Sequence, residues 1–171
     1  MTKVEEIMTS PVVTVTPDMP VREAASLLSE KDVSGAPVVD QGKIVGVFSE
    51  ADVLRSLKTT KKSLRLVFPS ISSIGIAFQE EVVQRELLEA YEEVGGRPVR
   101  EVMSTEVHTV DTDITLKEAV MTMVLNDVNR LPVMRGGELV GIVTRGDVIK
   151  GLAQDRNDKN SNGLASFLGP E

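Results

Sequence analysis

A chain of 171 residues with 41% apolar and 26% charged residues has room for one ordinary soluble domain or two small ones. Its formal net charge of -7 excludes the broad phosphate attraction on which nucleic-acid binders rest, although a small anionic ligand stays compatible because local geometry governs such a site. The lack of cysteine excludes disulfides and thiolate chemistry, and a single histidine, His108, excludes a histidine-rich metal site. The start, Met1-Thr2-Lys3-Val4-Glu5-Glu6, has no apolar run of the secretory type. The longest apolar stretch, Leu64 to Phe78, is interrupted by Arg65 and Pro69 and is too short for a bilayer. The expected setting is cytoplasmic, with neither membrane nor nucleic acid as a partner.

In chain order, the β-branched run Pro11 to Val15 predicts a strand, closed by a turn over Thr16-Pro17-Asp18-Met19-Pro20. Val21, Ala24, Ala25, Leu27 and Leu28 recur at helical spacing and predict an amphipathic helix that Ser34-Gly35 breaks. Ala36 to Val39, a turn at Asp40-Gln41-Gly42 and Lys43 to Phe48 predict a hairpin. A second helix starts near Ser49 and carries Ala51, Val53, Leu54 and Leu57. The order is β-α-β-β-α. Lys58, Lys61, Lys62 and Arg65 then form a basic cluster suited to a solvated linker, and Leu64 to Phe78 is apolar enough to require burial. Val82, Val83, Leu87, Leu88 and Tyr91 predict a helix over 80–94, stopped at Gly95-Gly96.

The same order then returns. Val107 to Val110 predicts a strand with His108 inside it, Leu116 to Leu125 a helix, Leu131 to Met134 and Glu138 to Val143 a hairpin around Arg135-Gly136-Gly137, and a last helix begins near Thr144. Beyond 152 the polar, turn-rich Gln154 to Gly163 predicts a flexible tail over 153–171. A shift of 95 residues superimposes the two stretches without a gap, matching Met8 to Met103, Asp18 to Asp113, Asp32 to Asp127, Val33 to Val128, Pro37 to Pro132 and Val45 to Val140.

The densest match is Gly46-Val47-Phe48-Ser49-Glu50-Ala51-Asp52 with Gly141-Ile142-Val143-Thr144-Arg145-Gly146-Asp147. A hydroxyl residue followed three positions later by a carboxylate, at a helix start, makes a capping box. The same geometry suits a nucleotide. Free N–H groups at a helix N-terminus attract phosphate, a hydroxyl donates to its oxygens, and an ionised aspartate accepts from ribose hydroxyls. Glycine at the strand end permits a close approach of a ligand to the backbone.

Together with Ile7-Met8-Thr9 and Val102-Met103-Ser104, and with the strand starts Val33-Ser34-Gly35-Ala36-Pro37-Val38 and Val128-Asn129-Arg130-Leu131-Pro132-Val133, these motifs resemble a tandem pair of CBS motifs, the Bateman module. The resemblance implies an α/β (α+β) fold of two β-α-β-β-α motifs, over 4–57 and 99–152, packed with pseudo-twofold symmetry and joined by a partly helical linker over 58–98. It also implies an adenosine-type ligand such as AMP, ADP, ATP or S-adenosylmethionine. Carried over, one cleft uses Ser49 and Asp52 with Ile114, Val128, Asn129 and Arg130, and the other uses Thr144 and Asp147 with Met19, Val33, Ser34 and Gly35. Arg130 stands where phosphate-holding members carry a basic residue and its counterpart is Gly35, so the Asp52 cleft is expected to favour phosphorylated nucleotides. A regulatory sensor, not an enzyme, is the function implied. No cofactor is required, a homodimer is expected, and an effector protein is a further expected partner. The alternative is a ligand-free scaffold module that forms a homodimer or regulates a partner.

Overall fold

The computed structural model describes residues 2–59 and 85–154. The Leu64 to Phe78 run, the basic residues Lys61, Lys62 and Arg65, the start of the expected 80–94 helix and the tail from 155 onward lie outside them. In chain order the elements are α1 (Val4–Ile7), α2 (Val21–Glu30), β1 (Gly35–Asp40), β2 (Lys43–Ser49), α3 (Glu50–Thr59), α4 (85–95), a 3-10 turn (Val99–Glu101), β3 (Val110–Asp111), α5 (Leu116–Leu125), β4 (Arg130–Arg135), β5 (Glu138–Thr144) and α6 (145–154). They form two compact units. One is continuous, Val13–Val107, and the other is discontinuous, made of Met1–Val12 and His108–Glu171.

In the continuous unit, β1 and β2 pair antiparallel around Gln41 and Gly42, both at positive φ (47 and 79). That is the backbone a tight two-residue hairpin turn requires, which is why a glycine stands there. Val15 lies parallel to β1, its N–H donating to the Pro37 carbonyl at 3.1 Å and its carbonyl accepting from the Val39 N–H at 2.9 Å. The expected strand over Pro11 to Val15 thus reduces to one bridging residue. After Val15 the chain turns at once, with Met19 N–H donating to Thr16, and residues up to Val12 belong to the other unit. Helix α2 buries Val21, Ala24 and Leu28, one stripe at helical spacing, into a core with Val15, Ala36, Val38, Phe48, Val53, Val94 and Val99.

In the discontinuous unit, β3 runs parallel to β4 and β4 pairs antiparallel with β5 around Gly136 and Gly137, again both at positive φ. Only Val110 and Asp111 align with β4, opposite Val133 and Met134, so the strand is shorter than Val107 to Val110 predicts and His108 precedes it. Helix α5 matches its expected bounds because Thr115 and Glu118 close a capping box: the Thr115 N–H donates to Glu118 Oε2 at 2.7 Å and the Glu118 N–H to Thr115 Oγ1 at 3.3 Å. The backbone and hydroxyl donors of Thr115 hold the Glu118 carboxyl below the ordinary carboxylate range. Asp32 and Asp127, at φ 52 and 50, take the left-handed position just after α2 and α5. Aspartate tolerates that conformation better than most residues do, which accounts for its recurrence.

Each unit is completed by the segment that precedes the other repeat's first extended stretch. In the discontinuous unit, α1 buries Val4 in the core, the Val4 N–H donates to the Ile114 carbonyl at 3.0 Å, and Thr9 and Ile142 exchange backbone bonds of 2.9 and 3.1 Å. In the continuous unit the matching pair, Ser104 and Val47, exchange two bonds of 2.9 Å.

Candidate functional site

Both repeated motifs sit where a strand ends and a helix begins. In the discontinuous unit the Thr144 N–H and hydroxyl both donate to Asp147 Oδ2, at 2.9 and 2.7 Å, and the Asp147 N–H returns a 3.4 Å bond to Thr144 Oγ1. In the continuous unit the Ser49 N–H and hydroxyl donate to Asp52 Oδ2, both at 2.7 Å. The capping-box reading of the sequence therefore holds in full at Thr144, and at Ser49 in the half where the carboxylate takes the N–H of the residue before the helix. A carboxylate that accepts two such bonds is fixed in direction, and only its second oxygen is left for anything else.

The two second oxygens differ. Asp52 is 3% exposed, and its Oδ1 accepts from Arg55. Asp147 is half-buried, and among the described residues its Oδ1 accepts no hydrogen bond. The flanking residues differ as well: Glu50 follows Ser49, whereas Arg145 follows Thr144.

The strand starts lie beside the motif of their own repeat. Gly35 is the register partner of Ser49, and the Glu50 N–H donates to the Ser34 carbonyl at 3.1 Å. Equivalently, Arg130 is the register partner of Thr144, and the Arg145 N–H donates to the Asn129 carbonyl at 3.1 Å. Arg130 thus stands one strand across from Thr144. Val33 and Val128 are half-buried and pack on the cores of their own units. Met19 and Ile114 are half-buried too, and each contributes its carbonyl to a neighbouring backbone bond, from Val99 and Val4 respectively. Among the described residues no group of three or more His, Cys, Asp or Glu side chains is placed to hold a metal, and no helix is long and apolar enough to cross a membrane.

Sequence reasoning missed what occupies the motif glycines. A Cβ on Gly141 would lie 2.3 Å from Met8 Sδ, and one on Gly46 would lie 2.6 Å from Met103 Sδ and 2.8 Å from the Ser104 carbonyl oxygen. These glycines make room for a methionine of the completing segment, so close packing within the protein is enough to require them. The signal was present, since Met8 and Met103 recur at the same offset as the glycines. Arg55, on the Asp52 carboxylate, had no such signal, because its counterpart is Lys150.

Gly46→Ala is expected to be the more damaging of the two glycine substitutions, because it meets a backbone oxygen that cannot rotate away. A cost of about 1 to 3 kcal/mol follows from overpacking. The nearest atoms that Gly141→Ala meets are all of the Met8 side chain, and adding Met8→Ala should recover part of its loss, whereas Met103→Ala should recover little for Gly46→Ala. Urea midpoints of the four variants check this.

The CBS domain model matches residues 4–59 and 99–154. An uncharacterised protein of Methanocaldococcus jannaschii is 35% identical over 152 residues, covering 87% of this chain and 90% of that protein. The CBS domain-containing protein YhcV of Bacillus subtilis is 32% identical over 165 residues, covering 96% of this chain and 93% of its own length. Among solved structures, CBSX2 of Arabidopsis thaliana in complex with AMP is similar with a TM-score of 0.64 at 28% identity, over 90% of this chain and 98% of that one. With two matched copies that together span more than half of its length, the chain belongs to the CBS-domain family.

Proposed function

We propose that the chain is a regulatory module that takes an adenosine-type ligand, and that the corner formed by Thr144, Asp147 and Arg130 is its site for a phosphorylated nucleotide. The observation that carries this is Asp147 Oδ1, which accepts no hydrogen bond among the described residues, on the helix that follows Thr144, whose cross-strand partner is Arg130. In this reading Asp147 accepts from the ribose hydroxyls, and the phosphate meets the positive end of α6 together with Arg130 and Arg145. Val128, Asn129 and Ile114 supply the apolar and backbone surroundings. The AMP complex of the related CBSX2 supports the ligand class.

The matching corner, with Ser49 and Asp52 beside Ser34, Gly35, Val33 and Met19, has an engaged carboxylate and an acidic neighbour, Glu50. It suits an adenosine-type ligand without phosphates, such as S-adenosylmethionine. The resemblance to the family sets Arg130 with Asp52; the proposal instead follows the strand register.

Thermal unfolding with AMP, ADP, ATP and S-adenosylmethionine in turn tests the reading. A ligand at about 100 times its dissociation constant adds about 2.7 kcal/mol. At about 2 to 4 °C per kcal/mol for a chain of this size, the midpoint should rise by about 5 to 11 °C. No rise with any of the four would overturn the sensor and favour a ligand-free scaffold.

A further inference from the structure

The carboxylates of the two repeated motifs are held alike at one oxygen and differently at the other. At Asp52, Oδ2 takes the Ser49 N–H and hydroxyl, and Oδ1 takes the guanidinium of Arg55, one turn further along α3. At Asp147, Oδ2 takes the equivalent Thr144 pair, and the residue one turn along α6 is Lys150. Among the described residues nothing holds Asp147 Oδ1 as Arg55 holds Asp52 Oδ1. The internal repeat acts as a control: a helix start of this kind forms at Thr144 with no guanidinium on its carboxylate, so forming one does not require Arg55.

The two arms of the Arg55–Asp52 pair are unequal. The Asp52 side chain is 4% exposed and the Arg55 side chain 67%. Leaving Oδ1 of so enclosed a carboxylate without a donor is unfavourable. Moving the guanidinium into water costs little, because most of its side chain is already hydrated. The pair therefore opens readily only where another donor takes the place of Arg55. The neighbouring hydroxyls of a ribose are such donors, since an O–H donates well to a carboxylate.

We propose that Arg55 is an internal competitor for the ligand of the Ser49 corner: it occupies the Asp52 oxygen that a ribose diol needs and swings into solvent when an adenosine-type ligand binds. This rests on the reading of the two motifs as adenosine-type sites. The measured affinity of this corner is then its intrinsic affinity reduced by the fraction of chains in which Asp52 Oδ1 is open. With Lys150 in the equivalent place the Thr144 corner lacks this gate, so two corners built from one repeat respond at different ligand concentrations. Salt screens the attraction of the exposed guanidinium for Asp52. Rising ionic strength therefore favours an uncharged ligand over Arg55, whereas a phosphate held by arginines binds more weakly as salt rises.

Adenosine is the probe, because it carries the diol and no charge. In chains carrying Asp147→Asn, which weakens the other corner, titration calorimetry should show Arg55→Ala tightening adenosine by about three- to tenfold. Arg55→Lys copies the second repeat, where the helix start forms with Lys150, and should tighten adenosine in the same direction, which guards against a folding defect in the alanine variant. Raising sodium chloride from about 0.05 to about 0.5 M should tighten adenosine more with Arg55 present than in Arg55→Ala. In chains carrying Asp52→Asn, Lys150→Arg should weaken adenosine, because it installs the gate on Asp147. The proposal is overturned if neither Arg55 variant tightens adenosine or alters its salt response while Asp52→Asn still weakens it; the site reading then stands and Arg55 is only a helix-surface ion pair. If adenosine binds none of these chains, or binds the Asp52→Asn, Asp147→Asn double variant as well as the unaltered chain, the ribose reading fails and the gate fails with it.

Discussion

Phe48→Ala is expected to cost about 3 to 5 kcal/mol, the range for removing a fully enclosed aromatic side chain. Phe48 is 0% exposed and faces Ala36 across the β1–β2 hairpin, with Val15, Val21, Ala24 and Leu28 in the same cluster. The other unit solves the same packing problem in reverse: the equivalent cross-strand pair is Leu131 with Val143. Large faces small in one unit, and two medium residues face each other in the other, at similar total volume. Interiors packed to crystal-like density respond to the pair more than to either member. Phe48→Val alone should therefore leave a void, and combining it with Ala36→Leu should recover much of the loss, because the first unit then carries the second unit's solution. Urea unfolding of the single and double variants checks both statements. No recovery in the double variant would mean that neighbours beyond the cross-strand pair define the shape of the site. Ser49 and Asp52 follow directly on Phe48, so loss of the ring also loosens the helix start that they build.

Asp147→Asn is expected to weaken a phosphorylated adenosine nucleotide by about 10- to 150-fold, the loss of about 1.5 to 3 kcal/mol for hydrogen bonds to a charged group. Asparagine keeps an acceptor for the Thr144 N–H, so α6 remains capped and the effect is on affinity. The companion Asp52→Asn removes the charge that Arg55 engages on a nearly buried carboxylate and should change stability more than AMP affinity. Arg130→Ala should weaken AMP more than adenosine, since only AMP carries the phosphate. Titration calorimetry on the three variants separates the two corners. If Asp52→Asn abolishes AMP binding while Asp147→Asn leaves it intact, the nucleotide belongs to the continuous unit.

Elements set by local chemistry were legible in the sequence. The hairpin turns at Gln41-Gly42 and Gly136-Gly137 declare themselves through residues that tolerate positive φ, and α5 starts where Thr115 and Glu118 can cap it. The capping box at Thr144 and the carboxylate that caps Ser49 were legible for the same reason. Features set by distant partners were not. Pro11 to Val15 has strand composition, but only Val15 runs beside β1, and composition does not say where the chain must turn away. His108 sits among β-formers and yet precedes β3, because pairing with β4 begins only at Val110. A glycine near a candidate site invites a ligand-based reading; its methionine neighbour lies far along the chain, at Met103 for Gly46, and becomes visible only when the units close. Sequence reasoning separated Asp52 from Asp147 only through Arg130; that Arg55 reaches the Asp52 carboxylate, while the Asp147 carboxylate has no such partner among the described residues, was not legible.

The exchange of completing segments gives the chain a nested architecture: Val13–Val107 is inserted whole into a unit whose two parts flank it. Cuts drawn at the ends of the sequence repeats therefore pass through both units, leaving Thr9 without Ile142 and Val47 without Ser104. The repeat in the sequence is out of phase with the compact unit, so neither repeat alone carries all the segments that a unit needs.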